Sequence, residues 1–333
     1  MTNKLKTNRI KPKFILKEIE KSYNLEFLNE LKKIPNIKIY VFGGFIRDIL
    51  LGKKWKDLDI RILLNKDWNI REKAVEASLK KSVKIQEKLR FEQDKFTVYR
   101  FLPPKSRGKN SIDLTLAPTI RQAKSDFTIN DMFVDVVSGE IIDRHNGLED
   151  LKNGTLKTVV NPKSQFVQEP WMLFRTVKFA CQFNLNIDPV VYREMQNKAK
   201  ISRTQLETIA KERKGLWIEV LLGNLFRGLS YNPHKYFEIF SETGLINTLL
   251  DFLGDKLKVK IFDYEKCKNI FSKNSKTSFE QSASIFLSFL VNYLDLEDKR
   301  MGFAEVVHVL AFDEPKEFGE ILINISKLRY NKI

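Results

Sequence analysis

Hydrophobic and polar positions follow two different patterns along the chain, and the change between them falls near residue 150. Before that point, short runs rich in β-branched and aromatic residues alternate with turn residues, which is typical of strands; they are IKIYVFGG, LDIRILL, KFTVYRFL, SIDLTLA, DMFVDVV and EIIDRH. After it, apolar residues recur at helical spacing in WMLFRTVKFACQF, GLWIEVLLGNLF, HKYFEIFSETGLINTLL and EQSASIFLSFLVNYL. The pattern predicts an α+β chain, with a mixed-sheet domain first and stacked helices after it.

Composition and charge narrow the classes of function. The 333 residues, 43% of them hydrophobic, are enough to bury a substantial core. Lys and Arg number 58 against 42 Asp and Glu, so the net charge of +16 indicates a polyanionic partner, either nucleic acid or an anionic membrane surface. No run of about 18 uncharged apolar residues is present, so a soluble protein is expected. The two cysteines and three histidines lack metal-ligand spacing, which disfavours a structural zinc site and favours a reducing compartment.

The first 17 residues contain six Lys or Arg and no acidic residue, but they lack the apolar segment of a secretory signal. Two interpretations remain open, a basic arm and a mitochondrial presequence, and the absence of serine favours the arm. The expected location is therefore the cytoplasm, with the mitochondrial matrix as the alternative. No feature of the sequence fixes the oligomeric state, and a monomer is favoured.

The stretch VFGGFIRDILLGKKWKDLDI carries the first candidate chemistry. Gly43 and Gly44 follow a predicted strand and precede a predicted helix over residues 45–51. Glycine permits positive φ and lets backbone N–H groups approach a ligand, and a helix N-terminus favours an anion, so this turn fits a phosphate cradle. Taken alone, the pair is also what an ordinary tight turn contains.

A pair of carboxylates follows about a dozen residues later, where Asp57 and Asp59 flank Leu58. Alternate residues of a strand point to one face, so the two carboxylates converge, and the usual positive charge between such groups is Mg²⁺. A third carboxylate is needed to activate a hydroxyl and stabilise a leaving pyrophosphate. The candidate is Asp113 in SIDLTLA, and Asp135 and Asp143 are its rivals.

Three segments together resemble the head and neck of class II tRNA nucleotidyltransferases, the family of CCA-adding enzymes and bacterial poly(A) polymerases. They are GGFIRDILLGKKWKDLDI, SDFTINDMFVDVVSGEIIDRHNGLEDLKNGTLKTV and EPWMLFRTVKFACQF, and a weaker match continues to about residue 250. The resemblance implies a polymerase-β-like nucleotidyltransferase head on a mixed sheet, followed by an all-α neck, body and tail. The expected boundaries are 1–36 for a basic N-terminal arm and first helix, 37–152 for the head, 153–228 for the neck, and 229–333 for the RNA-binding body and tail.

The resemblance also implies roles for individual residues. Asp57, Asp59 and Asp113 match the family's catalytic acids, and the first two match its metal-binding pair, which implies Mg²⁺ as the cofactor. The positions that match nucleotide-binding residues are Gly43, Gly44, Arg47, Asp48, Asp126, Asn130, Glu169, Arg175 and Lys178. The guanidinium of Arg47 is suited to neutralising charge on phosphate oxygens.

The motif before the FTIN run departs from the family pattern. Lys124-Ser125-Asp126 stands where the family has Arg-Arg-Asp, so one charge is kept but the bidentate fork of arginine is lost. The alternative role for Asp126 is a helix cap or turn. Recognition of the ribose and phosphates is therefore expected to be altered.

The neck motif departs further, because QEPWM stands where the family reads base edges with Glu-Asp-x-x-Arg. Met172 takes the place of the arginine and offers no hydrogen-bond donor to a base. Glu169 and Arg175 share a helical face with it and could rebuild the site, although Arg175 also fits a surface position. Base selection therefore does not carry over intact.

The segment from Leu114 to Ser125, between the third-acid strand and the FTIN motif, is only about a dozen residues long. Family members that add A commonly carry a flexible loop there, and members that add only two cytidines lack it. The resemblance thus implies a CC-adding enzyme, with a divergent CCA-adding enzyme as the alternative.

The excess of positive charge gains a use under this resemblance. A tRNA acceptor arm is an A-form duplex that proteins recognise through shape and phosphates. The candidate RNA-binding residues are Lys198, Lys200, Arg203, Lys211, Arg213 and Lys214, which also fit a solvated helix face. The expected function is a tRNA 3′-end nucleotidyltransferase that uses CTP and ATP, with a poly(A) polymerase and a non-catalytic RNA-binding descendant as alternatives.

Overall fold

The chain forms two compact units, residues 1–159 and residues 160–333. The structure is a computed structural model that describes residues 12–22, 26–55, 57–64, 67–91, 96–102, 111–120, 125–198, 224 and 227–245. Among the helices in these ranges, none is both long enough and apolar enough to cross a membrane.

The first unit is built from helices and a seven-stranded sheet. Its helices are α1 (Pro12–Ser22), α2 (Glu26–Lys32), α3 (Gly44–Leu51), α4 (Trp68–Ser82) and α5 (Gly147–Asn153), with a 3₁₀ turn at Thr128–Asn130. The strands of the sheet are β1 (Ile37–Phe42), β2 (Leu58–Leu64), β3 (Ile85–Phe91), β4 (Phe96–Phe101), β5 (Ile112–Ala117), β6 (Met132–Asp135) and β7 (Ile141–Asp143). A short strand outside this sheet is β8 (Thr155–Leu156).

The sheet has the strand order β3-β4-β5-β2-β1-β6-β7. The β2–β5 pair is parallel and the other neighbours are antiparallel, so the predicted mixed sheet is confirmed. The six strand-like runs of the sequence all form strands, and β3 is an additional one. Sequence pattern missed β3 because IQEKLRF lies at the sheet edge and is exposed along most of its length, so it has no buried stripe.

The two faces of the sheet at β2 differ in the polarity of their side chains, and both are largely buried. On one face of β2, Leu58, Ile60 and Ile62 are fully buried, and α3 and α4 pack near β1 and β2. Alternation then places Asp59 and Arg61 on the opposite face. Leu63, on the same face, is buried in an apolar cluster with Tyr40 and Phe133, so the polar positions of β2 lie between this cluster and the start of the strand, where a site can form.

The second unit is helical in its described part, apart from the short strand β9. Its elements are α6 (Pro162–Gln168), α7 (Trp171–Phe183), β9 (Asn186–Ile187), α8 (Pro189–Lys198) and α9 (Pro233–Glu242). Helix α7 coincides with the predicted run WMLFRTVKFACQF, and Phe174 packs against Phe240 of α9 with ring centroids 5.7 Å apart. The predicted helices in GLWIEVLLGNLF, apart from Asn224, and in EQSASIFLSFLVNYL lie outside the described residues.

Candidate functional site

Three carboxylates lie close together at the start of β2 and β5. Asp59 on β2 and Asp113 on β5 are direct partners in the register of the parallel pair, so their side chains leave the same face side by side. Asp57 lies two residues before Asp59 and is exposed. Burial, followed by the charges of Asp113 and Asp57, raises the pKa of Asp59 to about 6. The predicted acids are therefore close enough to repel one another.

Arg100 on β4 contacts this cluster, and sequence reasoning missed it. Its Nε donates to Oδ1 of Asp113 at 2.8 Å and its Nη2 donates to Oδ2 at 2.7 Å, while Nη1 reaches Glu87 at 3.3 Å. These hydrogen bonds and the charge of Asp113 raise the pKa of Arg100. The register of β4 and β5 places Arg100 opposite Asp113. The sequence alone does not indicate this contact, because it depends on which strands pair.

The donor set decides whether a metal fits. Within the described ranges, no three His, Cys, Asp or Glu side chains form a group that could hold a metal ion. Both oxygens of Asp113 are hydrogen-bonded to Arg100, which leaves Asp57 and Asp59 as the acids of the cluster that fit a metal. In proteins, Mg²⁺ is usually bound by one or two carboxylates, and oxygens of substrate phosphates and water complete its coordination. The pair therefore fits Mg²⁺ that binds together with a phosphate-bearing substrate.

The rival third acids have structural partners. Asp135 accepts backbone N–H groups of Val137 and Ser138 at 2.8 Å, in the turn after β6. Asp143 accepts the backbone N–H groups of Gly147 at 2.8 Å and Leu148 at 2.9 Å, at the start of α5. What distinguishes Asp113 is the strand register, because β5 pairs with β2 and places Asp113 opposite Asp59, whereas β6 and β7 do not pair with β2.

The Gly-Gly turn lies directly against the acids. Gly43 has φ 85° and ψ −154°, a conformation that is essentially restricted to glycine, and α3 begins at the next residue. A Cβ atom at Gly43 would lie 3.3 Å from Oδ2 of Asp59, and one at Gly44 would lie 3.0 Å from Nη2 of Arg47. The backbone at Gly43 therefore lies so close to Asp59 that a side chain on residue 43 would crowd the carboxylate.

Arg47, Asp48, Asn130 and Asp126 form one hydrogen-bonded network. Arg47 is buried; its Nε donates to Asp48 at 2.9 Å and its Nη1 donates to the side-chain oxygen of Asn130. Asn130 in turn donates to Asp126 at 2.7 Å, and Asp126 also accepts the backbone N–H of Phe127. Burial raises the pKa of Asp48, and Arg47 opposes that shift. The network ties the helix after the glycines to the SDFTIN segment.

The remaining predicted nucleotide-binding residues lie in the second unit. Glu169 caps the C-terminus of α6, and the charged groups of Arg175 and Lys178 lie 5.0 and 5.1 Å from the ring centre of Phe179. Met172 is buried, with 2% of its surface exposed, so its side chain packs in the helical core. The methionine therefore satisfies packing at a position where the family has an arginine.

Of the six predicted RNA-binding residues, Lys198 lies within the described part of the chain. Lys198 is the last residue of α8 and is partly exposed. The other candidates lie outside the described residues: Lys124, Lys200, Arg203, Lys211, Arg213 and Lys214. Of the segment from Leu114 to Ser125, β5 extends to Ala117, and residues 121–124 are outside the described part.

Comparison with known proteins matches the poly(A) polymerase head domain to residues 39–157. The mitochondrial CCA tRNA nucleotidyltransferase of Saccharomyces cerevisiae is 26% identical over 326 residues, which cover 86% of this chain and 56% of the yeast protein. Poly(A) polymerase I of Salmonella typhimurium is 28% identical over 185 residues, or 50% of this chain and 38% of that protein. The chain thus spans little more than half of the yeast relative.

Solved structures agree in fold. The CCA-adding enzyme of Thermotoga maritima, in complex with tRNA, has a TM-score of 0.57 at 21% identity, covering 89% of this chain and 71% of that one. A CCA-adding enzyme in complex with CTP has a TM-score of 0.59 at 22% identity, covering 89% and 68%. Residues 39–157 thus match a poly(A) polymerase head domain, and the chain is similar in sequence to CCA-adding enzymes and poly(A) polymerases and in fold to CCA-adding enzymes.

Proposed function

We propose that the chain is a template-independent RNA nucleotidyltransferase that extends the 3′ end of tRNA from CTP and ATP. The observation that carries the proposal is the register pairing of Asp59 with Asp113, beside Asp57 and the Gly43 backbone. Two close carboxylates suit a metal that binds substrate phosphates, and a backbone without side chains suits a triphosphate. A non-catalytic descendant would not need to keep Asp57 and Asp113 so close to Asp59 that their charges raise its pKa.

The proposed reaction forms a bond between the terminal 3′ oxygen of the RNA and the α-phosphorus of the nucleotide, and breaks the α–β bridge to release pyrophosphate. Asp57 and Asp59 would hold Mg²⁺, which when bound neutralises phosphate charge and favours the deprotonated hydroxyl. The backbone at Gly43 and Gly44 would admit the triphosphate beside these acids. Arg47 would hold the turn in place through Asp48 and Asn130.

The RNA partner is proposed from charge and from the relatives. A net charge of +16 suits binding to the phosphates of a tRNA acceptor arm, and Lys198 with the basic residues after it are candidates for these contacts. The alternative, a poly(A) polymerase, is supported by the similarity to the Salmonella enzyme. The cytoplasm and the mitochondrial matrix remain the proposed compartments, the latter because the yeast relative is mitochondrial.

The product is expected to be C-rich. Purified protein given CTP, ATP, Mg²⁺ and tRNA that lacks its 3′ end should add C readily and terminal A poorly, because the segment from Leu114 to Ser125 is short and Met172 cannot read a base edge. A sequencing gel that resolves single nucleotides measures how many nucleotides are added when CTP and ATP are offered separately and together.

An unstructured RNA of equal length is the matched substrate control. Efficient completion of CCA would show that the short segment does not decide A addition. Long A tails on the unstructured RNA would favour the poly(A) polymerase. Absence of extension on every RNA would contradict the proposed function.

Gly43→Ala is expected to reduce both folding stability and nucleotide transfer. Alanine at φ 85° and ψ −154° is strained, at a cost of about 1–3 kcal/mol. Its methyl group would lie 3.3 Å from Oδ2 of Asp59, and displacement of that carboxylate should reduce transfer by about 10- to 100-fold. Urea unfolding and initial rates of CTP incorporation measure the two effects.

Gly154→Ala is the matched control, because Gly154 also has positive φ, at 69°, but a Cβ atom there would have nothing within 4 Å. This variant should lose some stability and keep its transfer rate. Equal rates for Gly43→Ala and Gly154→Ala would contradict the closeness of the Gly43 backbone to the reacting groups.

A further inference from the structure

Arg61 is an unusual residue for the middle of a sheet. It lies on β2 two residues after Asp59, on the same face, and only 6% of its surface is exposed. Its guanidinium carbon lies 4.4 Å from the ring centre of Phe42, which is the register partner of Asp59 on β1. The cation therefore lies along the floor of the carboxylate site.

The charge of Arg61 is not compensated by hydrogen bonds. Its Nε and Nη1 atoms are buried and have no hydrogen-bond partner in the described part of the chain, whereas Nη2 is not enclosed in this way. Buried guanidinium donors without acceptors destabilise a fold, so such a group usually has a ligand or a functional role. Burial and the nearby Arg144 lower the pKa of Arg61 to about 10, which still leaves it cationic at neutral pH.

A second arginine lies close by and is only partly satisfied. The guanidinium carbon of Arg144 lies 5.2 Å from the ring centre of Phe133, and that ring stacks on Phe42 with centroids 5.5 Å apart. Nη2 of Arg144 donates to both oxygens of Asp131 at 2.9 Å, but its Nε is buried and has no hydrogen-bond partner among the described residues.

The charges of Asp59 and Asp131 attract Arg61, but Asp131 forms no hydrogen bond with it, because the oxygens of Asp131 are already engaged. Besides Arg144, Asp131 accepts from Oγ of Ser125 at 2.8 Å, and Nδ1 of His145 lies 2.6 Å from it. The neighbouring acid, Asp59, belongs to the proposed metal pair. Two arginines thus face one floor of the site with fewer acceptors than donors, which is the composition of an anion-binding surface.

We propose that Arg61, with Arg144 beside it, forms a phosphate-binding subsite that takes the polyphosphate of the incoming nucleotide and the pyrophosphate product. The inference rests on the proposed function. The phosphates of a nucleotide bound by a metal at Asp57 and Asp59 would lie next to Arg61. A phosphate of the RNA backbone would have to enter the same site to contact Arg61. A guanidinium matches phosphate oxygens in geometry and charge.

Pyrophosphate with Mg²⁺ is the probe that tests this subsite without requiring turnover. Titration calorimetry on the full chain should show pyrophosphate binding about 10- to 100-fold weaker in Arg61→Met than in wild type, the loss expected for one charge-assisted pair. Arg61→Lys keeps the charge and should recover part of that affinity. Arg193→Met removes one positive charge from the exposed face of α8 and should bind pyrophosphate like wild type.

Thermal unfolding distinguishes ligand binding from a structural role. Because Arg61→Met removes unpaired buried donors, its melting temperature without ligand should equal or exceed that of wild type, and added pyrophosphate should raise it less. A lower melting temperature with unchanged pyrophosphate affinity would overturn the subsite in favour of a packing role. If Arg61→Met does not fold, Arg61→Gln and Arg61→Lys carry the same comparison.

Kinetics and RNA binding complete the test. In CTP incorporation, Arg61→Met should raise KM for CTP, and the same KM as wild type would overturn the assignment. Weaker binding of tRNA lacking its 3′ end, with pyrophosphate affinity unchanged, would also overturn it in favour of an RNA phosphate. Failure of the wild type to extend any RNA would reject the proposed function, whereas pyrophosphate binding would still report on Arg61.

Discussion

Replacing Asp59 with asparagine is expected to abolish nucleotide transfer and, without divalent metal, to make the protein more stable at pH 8. The pKa of Asp59 is raised from 3.8 to about 6, so its ionised form is unfavourable in the folded state. Folding stability is therefore lost as pH rises from about 4 through 6, and above pH 7 the ionised group destabilises the fold by about 3 kcal/mol. Asparagine removes that charge along with the metal ligand.

Urea unfolding at pH 4 and pH 8, in the presence of a chelator, measures the stability change. The gain from Asp59→Asn should be largest at pH 8 and small at pH 4, which lies close to the unfolded-state pKa of 3.8 and well below the folded-state pKa of about 6. Asp67→Asn is the control, because Asp67 is exposed and its variant should change stability by only a few tenths of a kcal/mol. Transfer within tenfold of wild type would reject Asp59 as a catalytic acid.

Replacing Asp131 with alanine is expected to cause the largest loss of stability in the head. Asp131 is fully buried and accepts two hydrogen bonds from Arg144 and one from Ser125. Removing one partner of a buried ion pair leaves the other charge uncompensated and costs about 3–5 kcal/mol. The Nε of Arg144 already has no hydrogen-bond partner among the described residues, so the guanidinium has no nearby acceptor to replace the lost carboxylate.

Chemical denaturation of Asp131→Ala at pH 7, followed by circular dichroism, tests this expectation. Glu149→Ala is the control, because Glu149 is exposed on α5 and forms a pair with Lys152 at 3.6 Å, worth less than about 1 kcal/mol. If both variants unfold at the same denaturant concentration, Asp131 does not hold this part of the fold together.

The sequence predicts local structure well where burial is periodic. Alternation in LDIRILL and helical spacing in WMLFRTVKFACQF reproduce β2 and α7, because each element buries one set of positions. The edge strand β3 escapes prediction because most of its side chains are exposed. Such a strand is defined by its hydrogen bonds to β4, which the sequence does not encode locally.

The candidate site is predictable only as far as local spacing allows. Strand alternation predicts that Asp57 and Asp59 converge; Asp57 lies just before β2, and its charge acts on Asp59. The Gly-Gly turn precedes a helix, as its sequence indicates. The choice of Asp113 depends on the parallel pairing of β2 with β5, which is a tertiary property. Arg100 and Arg61 were missed because an arginine at an alternate strand position is ordinarily solvated, and only the register and burial show otherwise.

The central claim, that the head transfers a nucleotidyl group through its carboxylate pair, is tested most directly by following the phosphates. Full-length protein is incubated with Mg²⁺, tRNA lacking its 3′ end, and CTP labelled at either the α- or the γ-phosphate. We predict that the α-label enters the tRNA, that the γ-label leaves as one pyrophosphate per nucleotide added, and that Asp57→Asn does neither. Transfer of the γ-label to RNA, or undiminished α-label incorporation by Asp57→Asn, would contradict the account.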